Sequence, residues 1–196
     1  MSEWSPGERT VTEPNTDGNR YFDFELPNVG AGSETLHSAT LAAEHEYVLA
    51  VLLRNHYCPL CRELVRELAG RYDEFATRGT AVVPVLPDIR ERALVWHRRY
   101  ELPFPMLADP AADVVTGDRR ETAPDEFETF EPFQRTIPSL PGVALLECVD
   151  DSLKIVSRHG GPNPQDVPTI DSLLRRLDAQ RDSDVAEGPE GIRADT

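Results

Sequence analysis

The sequence predicts an α/β fold: a central mixed sheet with helices packed against it. Two runs predict the sheet, Tyr47 to Leu53 and Ala81 to Leu86, each apolar almost throughout and each too short for a buried helix. The stretch between them carries apolar residues at helical spacing, and a second helical stretch follows. Strand, helix, strand, helix in that order implies parallel strands joined by crossover helices.

Residues 1 to 19 are rich in Glu, Thr, Asn and Pro without periodicity, and read as a mobile tail. Tyr21 to Leu26 alternates aromatics at Phe22 and Phe24 and reads as a short strand, stopped by Pro27 and the turn-rich Asn28 to Ser33. Glu34-Thr35-Leu36 is its expected partner. Tyr47 to Leu53 then reads as a central strand buried on both faces. From Pro59 to about Thr77, Leu64, Val65, Leu68, Tyr72 and Phe75 fall on one helical face, with Gly79 as the stop. Pro84 within the second core strand calls for an edge position or a local irregularity. Ile89 to Tyr100 is a helix, and Leu102 to Pro110 a rigid extended segment with three prolines. Residues 116 to 134 form an acidic loop anchored by Phe127, Phe130 and Phe133. Val143 to Cys148 and Leu153 to Ser157 flank Asp150-Asp151 as a hairpin. Thr169 to Gln180 is the last helix, and residues 181 to 196 form an acidic disordered tail. The expected domain is therefore 20–180.

The chemistry is concentrated in Leu53-Arg54-Asn55-His56-Tyr57-Cys58-Pro59-Leu60-Cys61-Arg62. Here a buried strand ends in a polar loop, and two cysteines follow where a helix begins. A thiol at a helix start meets unpaired backbone N–H groups and the positive end of the helix dipole, and both favour thiolate. Cys58 is thus the expected nucleophile. Cys61 lies one turn on and shares its face, a separation that suits a disulfide. Pro59 fits the first helical turn, where its missing N–H costs nothing. Tyr57 is placed as a lid or packing aromatic beside Cys58. Arg62 reads as a stabiliser of the Cys58 thiolate or equally as a first-turn surface arginine, and His56 as a tuner of its reactivity or a solvated loop histidine; Arg54 and Asn55 are the remaining polar residues of this loop. Cys148, in an apolar strand, reads as an inert core thiol.

Composition bounds the partners. The chain holds 20 Lys and Arg against 35 Asp and Glu, a net charge of −15, which argues against nucleic acid and anionic membranes. Its basic residues are almost all Arg, with Lys154 the single lysine. This carboxylate-rich, lysine-poor balance resembles that of proteins adapted to high salt. The start of the chain has no basic stretch leading into an apolar one, and the longest apolar run is far too short to span a bilayer. The expected location is cytoplasmic, where a cysteine pair is catalytic or metal-binding rather than structural. Zinc needs about four ligands, and only Cys148, His56, His97 and His159 supplement the pair, at irregular spacing. No glycine fingerprint for a nucleotide follows any strand, so no bound cofactor and no metal is expected, and electrons come from another protein or a small thiol.

Strand, Cys-x-x-Cys on a helix, strand, helix, hairpin and terminal helix resemble the thioredoxin fold. Arg135-Thr136-Ile137-Pro138-Ser139 resembles the segment before the hairpin, which in that fold carries a cis-proline; Pro138 is the position it implies. Phe22 to Pro27 and Tyr100 to Pro110 resemble the peroxiredoxin-like group, the alkyl hydroperoxide reductase/thiol-specific antioxidant family. The resemblance spans about residues 20 to 180 and implies a thioredoxin-like fold with an N-terminal extension. It implies thiol redox activity on protein disulfides or peroxides, with a thioredoxin-type or small-thiol reductant. The chain departs from the family where peroxide is polarised. Asn55 stands for the Thr or Ser three residues before the reactive cysteine, Val51 for a proline, and Ser139 where an arginine is expected. Three readings follow: dithiol–disulfide exchange through Cys58 and Cys61; a thiol peroxidase with Cys58 peroxidatic and Cys61 resolving; and a non-enzymatic redox sensor or binding module.

Overall fold

A computed structural model describes residues 21–111, 126–163 and 165–186. The expected tail 1–19, residues 116–125 of the acidic loop and the last ten residues lie outside the described residues. Six strands form one sheet in the order β1-β8-β7-β4-β5-β6: β1 (Tyr21–Phe22), β4 (Tyr47–Leu52), β5 (Thr80–Leu86), β6 (Leu107–Ala108), β7 (Gly142–Val149) and β8 (Ser152–His159). β4, β5 and β6 run parallel, and β7 joins β4 antiparallel. A separate two-stranded ribbon pairs β2 (Glu25–Pro27) with β3 (Thr35–His37). The helices are α1 (Ser38–Glu44), α2 (Pro59–Gly70), α3 (Tyr72–Ala76), α4 (Arg90–Tyr100), α5 (Glu131–Gln134) and α6 (Ile170–Ala186).

Side-chain alternation along β4 divides the core. Tyr47, Leu49, Val51 and Leu53 face one way, into a cluster with Leu64, Val65 and Leu68 of α2, Trp96 of α4 and Leu173, Leu174 and Leu177 of α6. Val48, Ala50 and Leu52 face the other way, toward Leu41 of α1, Phe24, and Phe127, Phe130 and Phe133. All of β4 is buried, as an apolar run without alternation requires.

Four local differences from the sequence reading have physical causes. The first strand is two pieces in two sheets, because the Phe24 backbone bonds Ser38 on both sides: its N–H donates to Ser38 Oγ (3.1 Å) and its carbonyl accepts from the Ser38 N–H (2.9 Å). The long helix after the cysteines is α2 and α3, interrupted at Arg71. The three phenylalanines are buried anchors, as expected, but α5 folds among them. It is tethered by buried Asp109, which accepts from the N–H groups of Thr129 (2.9 Å) and Phe130 (2.7 Å). The last helix runs beyond Gln180 to Ala186, so the segment read as the start of a disordered tail is helical. Tyr47 donates a hydrogen bond to Asp184, and Arg181 pairs with Glu46 (3.4 Å). These contacts come from the first residue of β4 and the residue before it, far away in sequence.

Pro84 lies neither in an edge strand nor at an irregularity: β5 sits between β4 and β6, and its register with β4 is unbroken at Pro84. The Val85 carbonyl accepts from the Leu53 N–H (2.9 Å), so Val85 presents its backbone to β4. Pro84 therefore turns its ring nitrogen to the other side, where β6 pairs only with Val85 and Leu86.

Candidate active site

β4 delivers the site. Its ladder ends when the Leu53 N–H reaches Val85, and the chain turns at Arg54. Asn55 builds the turn: its side-chain oxygen accepts from the Tyr57 N–H (3.0 Å), and its carbonyl accepts from the Cys58 N–H (3.3 Å). Arg62 reaches back from α2 and donates to the carbonyls of Tyr57 (2.9 Å) and His56 (3.3 Å). Its guanidinium thus braces the loop rather than the thiolate. His56 packs against Tyr57 with the rings tilted by 46° and their centroids 3.7 Å apart, and Tyr57 is 62% exposed.

Cys58 is the N-cap of α2, and Pro59 begins the helix. The cap acceptor is sulfur: the Cys61 N–H donates to Cys58 Sγ at 3.2 Å. Both cysteines are free thiols and buried, with Cys58 retaining 8% of its surface and Cys61 none. Cys61 Sγ in turn accepts from the Arg54 N–H (3.3 Å). The two thiols titrate in opposite directions. A hydrogen bond from the Cys61 thiol lowers Cys58 most; burial opposes it; the Cys61 N–H, the charge of Arg54 and the Leu60 N–H add to the lowering, and Cys58 comes down to about 6. Burial, and the bond it donates to Cys58, push Cys61 far up. At neutral pH the arrangement is one thiolate and one thiol, nucleophile outside and proton donor inside.

Beneath the loop lies a residue that the sequence reading passed over. Asp88 follows β5 and is fully buried. It meets His56 Nδ1 at 2.5 Å, accepts from the Ile89 N–H at 2.8 Å, and pairs with Arg92 at 3.1 Å. It ties the cysteine loop to the start of α4. The available signal was an acid between a buried strand and a helix start, the place for a capping group.

Pro138 is corrected. The cis peptide precedes Pro141, not Pro138. Pro141 is buried and leads directly into Gly142, which pairs with Leu52 at the end of β4, whereas Pro138 is exposed in the bend after α5. Ile137 fills the space at Gly142, where a Cβ would lie 2.5 Å from its Cγ2. Ser139 donates to the Gly161 carbonyl (2.6 Å) and so ties this bend to the chain after β8.

The extra zinc candidates are dispersed. Cys148 reaches toward the Leu41 carbonyl at 3.8 Å and is pushed up to about 11 by burial and then by Glu147. His97 meets the Phe104 carbonyl at 3.3 Å, and His159 lies at the end of β8. No group of three or more His, Cys, Asp or Glu among the described residues is placed to hold a metal ion.

Comparison with known proteins places this geometry in context. The profile of the AhpC/TSA family matches residues 18–117. No curated protein matches the chain. Among solved structures, a yeast mitochondrial 1-Cys peroxiredoxin superposes with a TM-score of 0.61 at 14% identity, covering 89% of this chain and 79% of that one. The peroxidoxin BcpB of Mycobacterium tuberculosis gives 0.57 at 17% identity, with 82% and 96% covered. A reduced 2-Cys peroxiredoxin of Plasmodium vivax gives 0.60 at 14%, with 83% and 94% covered. At these identities the likeness is one of fold.

Proposed function

Because this chain belongs to the AhpC/TSA family and is a thiol-dependent oxidoreductase, we propose that Cys58 and Cys61 are its redox pair and that it catalyses dithiol–disulfide exchange. Thiolate Cys58 attacks one sulfur of a substrate disulfide, whose S–S bond breaks as a mixed disulfide forms and the other half leaves as thiolate. Cys61 then loses its proton and attacks Cys58, releasing the second half and closing the Cys58–Cys61 bond. The observation that carries this reading is the paired hydrogen bonding at the start of α2. The Cys61 N–H donates to Cys58 Sγ at 3.2 Å and the Arg54 N–H to Cys61 Sγ at 3.3 Å, so both sulfurs are fixed by backbone donors at the same end of the helix. A reducing compartment suits such a pair, and a thioredoxin-type or small-thiol donor would restore it. The yeast neighbour is itself resolved through glutathione and thioredoxin systems.

A second reading, thiol peroxidase, is favoured by the family and by the three peroxiredoxin neighbours. Cys58 would become a sulfenic acid and Cys61 would condense with it, releasing water. Against it stands Asn55, whose oxygen is engaged by the Tyr57 N–H. A Cys61→Ser variant, mixed with a protein disulfide, should accumulate a mixed disulfide at Cys58 visible by mass spectrometry. Rapid sulfenate formation at Cys58 under dilute peroxide, without exchange, would establish the peroxidase instead.

A further inference from the structure

The peptide that holds the resolving sulfur also carries an uncommitted cation. The Arg54 N–H is fixed on Cys61 Sγ at 3.3 Å, so the start of its side chain is registered to the cysteine pair. That side chain is exposed, and its charge acts on Cys58. Several other cations are committed: Arg62 to the carbonyls of His56 and Tyr57, Arg71 to Glu74 and Asp171, Arg78 to Asp178, Arg92 to Asp88, Arg181 to Glu46. Arg54 makes no ion pair among the described residues. Asp88, the acid under the loop, cannot supply one, because it is fully buried and held by His56, Arg92 and the Ile89 N–H. In a chain of net charge −15, this leaves a positive contact point beside the one reactive sulfur.

We infer that Arg54 is a specificity-determining residue that selects substrates carrying a carboxylate close to the bond that Cys58 attacks. The inference rests on the exchange reading above. Overall charge repels an anion at long range, but salt screens that repulsion within about 10 Å at 0.1 M. At short range a guanidinium then decides between substrates, offering two parallel donors to a carboxylate. The chemical step is unchanged for charged and neutral disulfides: one S–S bond breaks, the Cys58 mixed disulfide forms, and one thiolate leaves.

The test uses two chromogenic disulfides, dianionic dithiobis(nitrobenzoate) and neutral dithiodipyridine, on a full-length Cys61→Ser/Cys148→Ser background. Rates are read at pH 8.5, where Cys58 is ionised with or without Arg54. Arg54→Ala should lower the dianion-to-neutral rate ratio about fivefold, the upper end of an exposed ion pair. Arg54→Lys should retain most of the preference, and Arg54→Glu should lower the ratio further. Any change in thiolate basicity affects both reagents alike and cancels in the ratio. An unchanged ratio in Arg54→Ala and Arg54→Glu, with Cys58 still reactive, overturns this inference and leaves the exchange reading standing. A Cys58 inert to both reagents overturns both.

Discussion

Cys58 and Cys61 are three residues apart yet chemically opposite, and hydrogen bonding divides them. Cys58 is an acceptor from the Cys61 N–H, while Cys61 is sealed from solvent and keeps its proton. The rate of alkylation of Cys58 by iodoacetamide should rise with pH around a midpoint near 6. Cys61→Ala removes the strongest lowering interaction and should move that midpoint upward; Cys61→Ser, which keeps a donor, should move it less. The same shift enters stability. The folded-state pKa lies below that of the unfolded chain, so the thiolate's contribution is whole above about pH 9 and is lost as pH falls through about 6. Denaturant midpoints of the reduced protein, set against Cys58→Ser, should therefore diverge between those two pH values, with the wild type gaining as pH rises. A stabilised thiolate also makes the disulfide more oxidising. The pair should have a potential above the value of about −270 mV found for thioredoxin, as equilibration with glutathione buffers would show.

At the scale of elements, two connections hold the site and the last helix in place. Asp88 ties the cysteine loop to α4, and Asp88→Ala strands His56 and Arg92 without their partner. Breaking a buried pair in this way should cost about 3 kcal/mol, the lower end of its class because Arg92 is partly exposed and can turn to water. Urea unfolding with an unchanged m-value would register the loss. Tyr47 and Asp184 join the start of β4 to the last turns of α6. Tyr47→Phe should cost about 1 kcal/mol, the ordinary net worth of one hydrogen bond. Truncation after Gln180 should cost more, since it also removes the Arg181–Glu46 pair. A truncated chain as stable as the full one would return 181–186 to the status of a dispensable tail.

For the molecule as a whole, charge is the dominant global variable. A chain of net charge −15 repels itself, while pairs such as Arg78–Asp178 and Arg71–Asp171 join α6 to the turn after α3 and to the α2–α3 junction. Raising salt from 0.1 to 1 M shortens the screening length from about 10 to about 3 Å, which removes most long-range repulsion and weakens exposed pairs only modestly. Thermal midpoints should rise with potassium chloride over that range. A fall would mean that the ion pairs outweigh the repulsion.

The elements themselves were legible because their signals are local. The unbroken apolar run 47–53, the helical spacing after Pro59 and the hairpin around Asp150 each depend on residues close together in the chain, and each element is present. The thiol pair was legible for the same reason: a helix start and a three-residue spacing suffice to place Cys58 as cap and Cys61 beneath it. What only the tertiary structure decided depends on partners distant in sequence. Ser38 divides the first strand, and Tyr47 extends the last helix past Gln180. Pro141 rather than Pro138 stands at the start of β7, directly before Gly142, which the antiparallel register sets opposite Leu52. Asp88 comes under His56 across 32 positions of chain, because parallel strands bring their carboxyl ends together at one edge of the sheet. A one-dimensional pattern encodes which face of an element is apolar, but not which polar group on another element will find it.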